Sequence, residues 1–513
     1  MTTAALSLYA VLLAASVVAT WRRPLLALFL FLVGLAVHNL AMALLYGAGV
    51  RGAALDAIQA WKEVLLAVAA ARVGVDAIRA RRLPFRPGLV DGLALAFAVV
   101  VVIYALVPQE ALGGEAGATA VLYALRHALV PVVAYFLGRS LALGFRELTR
   151  IGWTALSVAG ALSLGGLIEL YTVPVEWWRG SGAVGYFRHE LGFDYHGPGG
   201  LPDNFAFNTS EGLFRRLVSS FISPLATAFA LVVALFLSGL PLRSRRLRPV
   251  ALSLVGLSLV ALFFTLSRSS LIALACGLVV LALAARRRWP LAAATAVIAV
   301  AIGFAYSFPA FAPKTHFFSQ DLPYQEAQAR EKGGLPGGRS LALDPGEPSL
   351  RSHWDALREG VEAVLRHPQG YGLGNAGATA SRFGLPVRAG ESNYTETGVE
   401  TGLLGVLLLV SWNLALLAGL VRAARLPSQP SFPVVQGEGD LAGPGRDEGP
   451  DRRLAAALAA AALAAVLALA VQTDVYGVPW LAYTLWWVAG ALLQPVARQA
   501  PDLVLAPASA ASD

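Results

Sequence analysis

Three arginines stand where the surrounding sequence is apolar, and their chemistry suits a phosphorylated lipid. Arg126 lies inside one apolar run, Arg216 begins another, and Arg268 lies in the short turn Ser267–Ser270 between two more. A guanidinium stays charged and binds phosphate through two parallel hydrogen bonds. Each arginine could instead snorkel to the membrane interface, which would need no ligand. If the three share one membrane face, they predict a pyrophosphate site made by Arg216 and Arg268 with help from Arg126.

A polar stretch of residues 310–393 separates two apolar runs, so we expect it to lie in water at the membrane surface. Glu391 stands just before the chain returns to apolar sequence. At a partly dry site its carboxylate could take a proton from a sugar hydroxyl, and the alternative is a solvated loop acid without a catalytic role. Other residues are predicted to contact the substrate, namely Arg351, His367, Asn393, Tyr394 and Lys62.

The sequence predicts neither a metal site nor a cofactor. His353 and His367 lack the spacing of a metal-ligand pair. The segment 372–377 matches the dinucleotide-binding letters, but it follows no strand, so we interpret it as a glycine turn whose N–H groups can hold phosphate. Lys62 and Glu63 are adjacent in an apolar run, where a structural ion pair is favoured over a substrate contact.

The composition indicates a membrane protein, because 57% of the 513 residues are hydrophobic and only 14% are charged. About thirteen apolar runs are long enough to cross roughly 30 Å of hydrocarbon. Helices satisfy their own backbone hydrogen bonds in lipid, so these runs are expected to be helical. The predicted fold class is therefore an all-α polytopic membrane protein with about 12–13 transmembrane helices and one large extracytoplasmic loop containing short helices.

Arginine clusters at alternate junctions between the apolar runs predict the orientation of the chain. The positive-inside rule places these clusters in the cytoplasm and the long polar stretch on the outer side. The net charge of +8 then reflects topology, so it does not predict a nucleic-acid-binding surface. The single cysteine, Cys276, excludes an internal disulfide. We expect a multi-pass protein of a bacterial cytoplasmic membrane with its site facing the exterior.

These patterns divide the chain into consecutive segments. They are transmembrane helices 1–10 in residues 1–309, the extracytoplasmic loop in 310–394, one transmembrane helix in 395–421, a cytoplasmic linker predicted to be disordered in 422–452, the last two transmembrane helices in 453–497 and a disordered tail in 498–513.

In their order along the chain, several short motifs resemble those of the O-antigen ligase/polymerase superfamily, the WaaL- and Wzy-like membrane proteins. The resemblance covers roughly residues 61–411. Its pieces are Trp61-Lys-Glu63, Arg126 with Pro131 and Gly138-Arg139, Arg216-Leu-Val-Ser-Ser-Phe221 with Pro224, Ser267-Arg-Ser-Ser-Leu271, Arg351 with Trp354, the His-Pro-Gln-Gly-Tyr-Gly-Leu-Gly run at 367–374 and Glu400-Thr-Gly-Leu-Leu-Gly405.

The resemblance implies a GT-C-like fold and a metal-independent, inverting transfer of a glycan from undecaprenyl pyrophosphate. Arg216 and Arg268 would hold the donor pyrophosphate, and Arg126 and Arg351 would assist. Ligases of this family carry a histidine before the asparagine of the motif that re-enters the membrane. Here Glu391 stands two residues before an asparagine, and this departure favours the polymerase branch. Glu391 would then orient or deprotonate the attacking hydroxyl.

Polymerisation of lipid-linked repeat units is thus the predicted function. One alternative is a ligase that transfers finished glycan to lipid A core or another surface acceptor. Another is a flippase or exporter of lipid-linked sugar, which would favour internal repeats that this chain lacks. The predicted partners are the lipid-linked donor, an acceptor glycan and the bilayer. The sugar, the linkage and the participation of a chain-length regulator stay open.

Overall fold

The computed structural model describes residues 2–141, 143–209, 212–331, 348–425 and 449–493. Helices dominate these ranges. They are α1 Thr2–Arg22, α2 Leu25–Gly47, α3 Ala53–Gln59, α4 Trp61–Ala80, α5 Leu89–Leu106, α6 Ala118–Ser140, α7 Phe145–Thr172, α8 Val175–Gly180, α9 Ala183–Gly185, α10 Pro224–Leu237, α11 Arg248–Phe264, α12 Arg268–Ala285, α13 Trp289–Phe311, α14 Leu322–Glu331, α15 Pro348–Arg366, α16 Gly377–Arg382, α17 Asn393–Arg425, α18 Gly449–Leu469 and α19 Pro479–Leu493.

Ten of the described helices are long and apolar enough to cross a membrane, namely α1, α2, α5, α6, α7, α10, α12, α13, α17 and α18. Two shorter apolar helices, α11 and α19, accompany them. The apolar run that carries Lys62 and Glu63 differs, because it divides into α3 and α4, and α4 carries five charged residues in its twenty. The all-α polytopic membrane fold is confirmed.

Small residues let the buried helices approach closely, as membrane helices require. α6 and α19 cross with backbones in contact. A Cβ at Gly138 would lie 2.0 Å from the carbonyl oxygen of Trp487, and one at Gly490 would lie 2.3 Å from that of Tyr135. Because this crossing has no room for a side chain, it fixes how α6 packs against α19.

Helix directions bring the starts of α12 and α17 to one end of the bundle. Arg425, at the end of α17, donates from Nη2 to the carbonyl oxygen of Leu283 near the end of α12, at 2.8 Å. At the other end of α17, the Asn393 N–H donates to the carbonyl oxygen of Ala470, just after α18, at 3.0 Å. We call this end, marked by Asn393 and Ala470, the site end.

Three short antiparallel strands lead into the site end. They are β1 Ala206–Thr209, β2 Gly212–Arg215 and β3 Lys314–Thr315, in the order β1-β2-β3. In the register, Ala206 pairs with Arg215, and Phe214 pairs with Lys314. Because β2 ends at Arg215, Arg216 directly follows the sheet and lies at the helix bundle.

The predicted loop at residues 310–394 begins near β3 and contains α14, α15 and α16. α17 extends beyond the predicted range 395–421 at both ends, and Gly402 with φ +68° breaks it into two helices. A Cβ there would lie 2.5 Å from the carbonyl oxygen of Pro368, so both the angle and the space require glycine. The disorder predicted for the linker and tail concerns 426–448 and 494–513, which lie outside the described residues.

Candidate functional site

Arg216 is a buried arginine anchored at the start of α12. Its Nε donates to the carbonyl oxygen of Thr265 at 2.7 Å, and its Nη2 donates to that of Leu266 at 3.3 Å. Only 8% of the residue is exposed. These two bonds hold the guanidinium against the turn that leads to Arg268.

Arg268 lies close enough to Arg216 for the two charges to interact. Burial first, and then the charge of Arg268, lower the pKa of Arg216 from the usual arginine value to about 9. Arg216 therefore stays cationic at neutral pH, although a like charge lies nearby. An anion bound at this pair would offset the repulsion and the burial cost, as a pyrophosphate with several negative oxygens can.

Arg215, the neighbour of Arg216 in the sequence, has a different role. It forms a buried ion pair with Glu169 on α7 and also donates to the carbonyl oxygen of Val173. Trp178 Nε1 donates to the same carboxylate at 2.7 Å. Arg215 is thus neutralised within the protein, which leaves Arg216 as the residue of this pair suited to an anion.

Glu391 lies at the site end, and a histidine from α15 contacts it. A hydrogen bond joins His353 Nδ1 and Glu391 Oε2, and both side chains remain partly open to solvent, at 50% and 32% exposure. A carboxylate that orients an imidazole is a common arrangement for proton transfer. His353 could not be recognised from the sequence, because 38 residues separate it from Glu391. Arg351 is on the same helix, but its side chain lies outside the described residues.

Asn393 and Tyr394 hold α17 against the connection between α18 and α19. Asn393 Nδ2 donates to Asp474 Oδ1 at 2.7 Å, and its Oδ1 accepts from the Val475 N–H at 2.8 Å. The Tyr394 hydroxyl donates to the carbonyl oxygen of Leu467 at 3.2 Å. Asn393 is only 2% exposed. These contacts suit residues that position the nearby Glu391.

A half-buried polar cluster that the sequence did not predict surrounds Asp474. His127 Nε2 on α6 lies 3.1 Å from Asp474 Oδ1, and the Gly477 N–H donates to the same oxygen at 2.8 Å. Burial acts to raise the pKa of Asp474, but the charge and hydrogen bond of His127, with the bonds from Asn393 and Gly477, outweigh it and lower that pKa. This carboxylate therefore ties α6, α17 and the α18–α19 connection together.

The glycine-rich run at 367–374 is held by the same end of α17. His367 stacks on Tyr371 with ring centroids 4.0 Å apart, and its Nε2 lies 3.0 Å from the carbonyl oxygen of Leu112. The Gly374 N–H donates to Glu400 Oε1 at 2.9 Å. At least this amide of the predicted phosphate-binding turn is thus occupied by a carboxylate of the protein.

Lys62 and Arg126 meet in a separate cluster. Arg126 Nη1 lies 3.1 Å from Glu63 Oε1, and Lys62 Nζ lies 3.5 Å from Glu63 Oε2. Lys62 also donates to the carbonyl oxygen of Gln59 at 2.8 Å. The structure thus shows the Lys62–Glu63 ion pair, and it places Arg126 beside α4, whereas Arg216 contacts the start of α12. Across the described ranges, no three His, Cys, Asp or Glu side chains group as metal ligands.

No curated protein matches the chain. Residues 253–410 match the Wzy_C family model, described as O-Antigen ligase. The matched range includes Arg268, the α15 histidine, Glu391 and the first half of α17. Through residues 253–410, this membrane protein is similar to the Wzy_C family, and the match supports its place in the O-antigen ligase/polymerase superfamily.

Proposed function

We propose that this protein is a membrane glycosyltransferase that joins lipid-linked repeat units into a polysaccharide. The donor is a glycan on undecaprenyl pyrophosphate at the outer face of a bacterial cytoplasmic membrane, and the acceptor is a sugar hydroxyl of another unit. The pairing of Arg216 and Arg268 at the bundle end where Glu391 lies carries this proposal. The family match supports a ligase- or polymerase-type activity in general.

In the proposed reaction, Arg216 and Arg268 bind the donor pyrophosphate. As the bond between the anomeric carbon and the phosphate oxygen breaks, the electron pair moves to the pyrophosphate. Fixed guanidiniums beside that oxygen stabilise the developing charge, which is usually the largest contribution to catalysis. Arg216 is already held by two backbone carbonyls, so it need not reorganise as the charge forms.

The Glu391–His353 pair serves as the base. The acceptor hydroxyl attacks the anomeric carbon from the face opposite the leaving pyrophosphate and inverts that centre. Its proton passes to the pair, with one partner accepting the proton and the other stabilising the product. Exposure of both side chains leaves room for an acceptor sugar to approach.

We favour a polymerase over a ligase because a glutamate stands at the position where ligases of the superfamily carry a histidine. A gene deletion followed by glycan analysis tests this choice. Loss of a polymerase leaves single lipid-linked repeats, whereas loss of a ligase leaves long lipid-linked polymer. Purified protein incubated with a defined undecaprenyl-pyrophosphate oligosaccharide should produce a ladder of longer lipid-linked products. Absence of any transfer with this donor would refute the proposed function.

A further inference from the structure

A second group of cations surrounds Tyr123 on α6, apart from the Arg216–Arg268 pair. The guanidinium carbons of Arg126 and Arg382 lie 4.6 and 4.1 Å from the centre of the Tyr123 ring. Arg382 Nη2 also donates to the Tyr123 hydroxyl at 3.0 Å and to the carbonyl oxygen of Glu190 at 3.0 Å. The loop residue Arg382 is thus fixed beside an arginine of α6. We call Arg126, Arg382 and the nearby Lys62 the Tyr123 cluster.

The Tyr123 cluster holds more positive than negative charge in direct contact. Within the described part of the chain, Glu63 is the one carboxylate that forms an ion pair with any of the three cations. Glu190 uses its carboxylate to accept from the Gly52 N–H. Burial lowers the pKa of Arg382, and the nearby charge of Arg126 also lowers it. The tyrosines Tyr123 and Tyr186 and the acid Asp56 act in the opposite direction. Such like charges are expected where an anion binds.

An apolar cavity lies next to the Tyr123 cluster, between α1, α2 and α4. It has a volume of about 300 Å³, and its lining includes Leu30, Val37, Trp61 and Leu65. Val37 is 50% exposed, so the cavity can be reached from the lipid side of α2. Trp61 lines the cavity and directly precedes Lys62 of the Tyr123 cluster on α4. A volume of about 300 Å³ holds the first few isoprene units of one lipid chain, with the charged group at the cluster.

Both cation groups connect to the segment that carries Glu391. His127, the neighbour of Arg126, contacts Asp474, which accepts from Asn393. The Asn393 N–H donates to the carbonyl oxygen of Ala470 just after α18, and α18 packs against the helix that Arg268 begins. A transfer between two lipid-linked sugars requires the base and both charged groups to be held close together.

We propose that the Tyr123 cluster binds the pyrophosphate of the acceptor, a second polyprenyl-linked glycan, and that the cavity between α1, α2 and α4 binds the part of its polyprenyl chain next to the pyrophosphate. The inference rests on the proposed function for the class of lipid. A cavity of about 300 Å³ suits part of one isoprenoid chain better than the several acyl chains of lipid A. The donor and acceptor would then have separate anion sites, Arg216–Arg268 and Arg126–Arg382.

The test measures how many molecules of undecaprenyl pyrophosphate, without glycan, bind the full-length protein in lipid nanodiscs. We expect two sites in the wild type. Arg382→Gln or Arg126→Gln should weaken one site by about 10- to 100-fold, as loss of charge-assisted hydrogen bonds does, and Arg268→Ala should weaken the other. Arg388→Gln is the matched control, because Arg388 also lies over a tyrosine, at 4.6 Å from the Tyr371 ring, but outside the cluster.

The Val37→Trp variant distinguishes binding of a lipid from binding of a free anion. Filling the cavity should weaken undecaprenyl pyrophosphate at the second site and leave inorganic pyrophosphate binding unchanged. A single site in the wild type, or two intact sites in both arginine variants, would overturn the proposal. Equal binding of the lipid by wild type and Val37→Trp would overturn the chain-binding part. Two polyprenyl sites in a protein that transfers no glycan would refute the proposed function and leave this binding site standing.

Discussion

Replacing Arg268 by alanine tests the central part of the proposed mechanism. Arg268 is half-buried and begins α12, and Ser267 and Ser270 bond each other at 2.6 Å across the same turn. The turn should therefore survive the substitution. Arg216 is a poorer choice, because its removal would leave the buried carbonyl oxygens of Thr265 and Leu266 without their donors, at about 1–3 kcal/mol each.

The size of the effect follows from which charge is lost. Removing one fixed donor to a developing anion typically costs about 2.7–4 kcal/mol, or 100- to 1,000-fold in rate. Arg216 remains in the Arg268→Ala variant, and Arg268 is partly open to solvent, so we expect the rate to fall about 100-fold. Because the charge of Arg268 is one of the two causes that lower the pKa of Arg216, that pKa should rise in the variant.

The assay is a single-turnover measurement of undecaprenyl pyrophosphate release by purified protein with a defined lipid-linked oligosaccharide. Arg287→Ala is the matched control, since Arg287 is an exposed arginine just beyond the opposite end of α12. Thermal unfolding in detergent checks that both variants are folded. A folded Arg268→Ala protein that releases product within about threefold of the wild-type rate would remove the phosphate-binding role, because such a change is under 1 kcal/mol.

Three further predictions concern the base, the Asp474 cluster and the helix break. Glu391→Gln should slow transfer by about 100-fold or more at neutral pH, and His353→Gln should do the same, when product ladders are followed over time. The pKa of Asp474 is lowered in the folded protein, so its stabilisation is present above the ordinary carboxyl pKa of about 4 and is lost as the pH falls through the lower folded value. Asp474→Asn should therefore lower the unfolding temperature at pH 7, and the difference should disappear in acid. Gly402→Ala should destabilise the protein by at least about 1–3 kcal/mol in denaturant unfolding, whereas Gly256→Ala, with open space around it, should not.

Wild-type ladders from Glu391→Gln would make that residue a bystander of the reaction. A stability difference for Asp474→Asn that persists unchanged in acid would show that the carboxylate charge is not its cause. Equal stability of Gly402→Ala and the wild type would mean that the break in α17 does not require a positive φ.

The sequence was sufficient for the class of fold, because apolar length alone decides whether a segment can cross a membrane. It predicted the long apolar helices, and the family match covers the motifs around Arg268 and Glu400. The sequence prediction did not separate α4 from the apolar runs that cross the membrane, although α4 carries Lys62 and Glu63 at its start and further charges along its length.

The residues around the candidate site depend on contacts between distant parts of the chain. His353 contacts Glu391, 38 residues away in the sequence. Asp474, between α18 and α19, contacts His127 on α6, and Arg382 of the long loop contacts Tyr123. None of these partners follows from helical spacing, because periodicity describes neighbours within one element only. The residue types alone were therefore enough to predict arginines at a membrane surface. Only the tertiary structure decided which of them share a site, because packing between helices sets those distances.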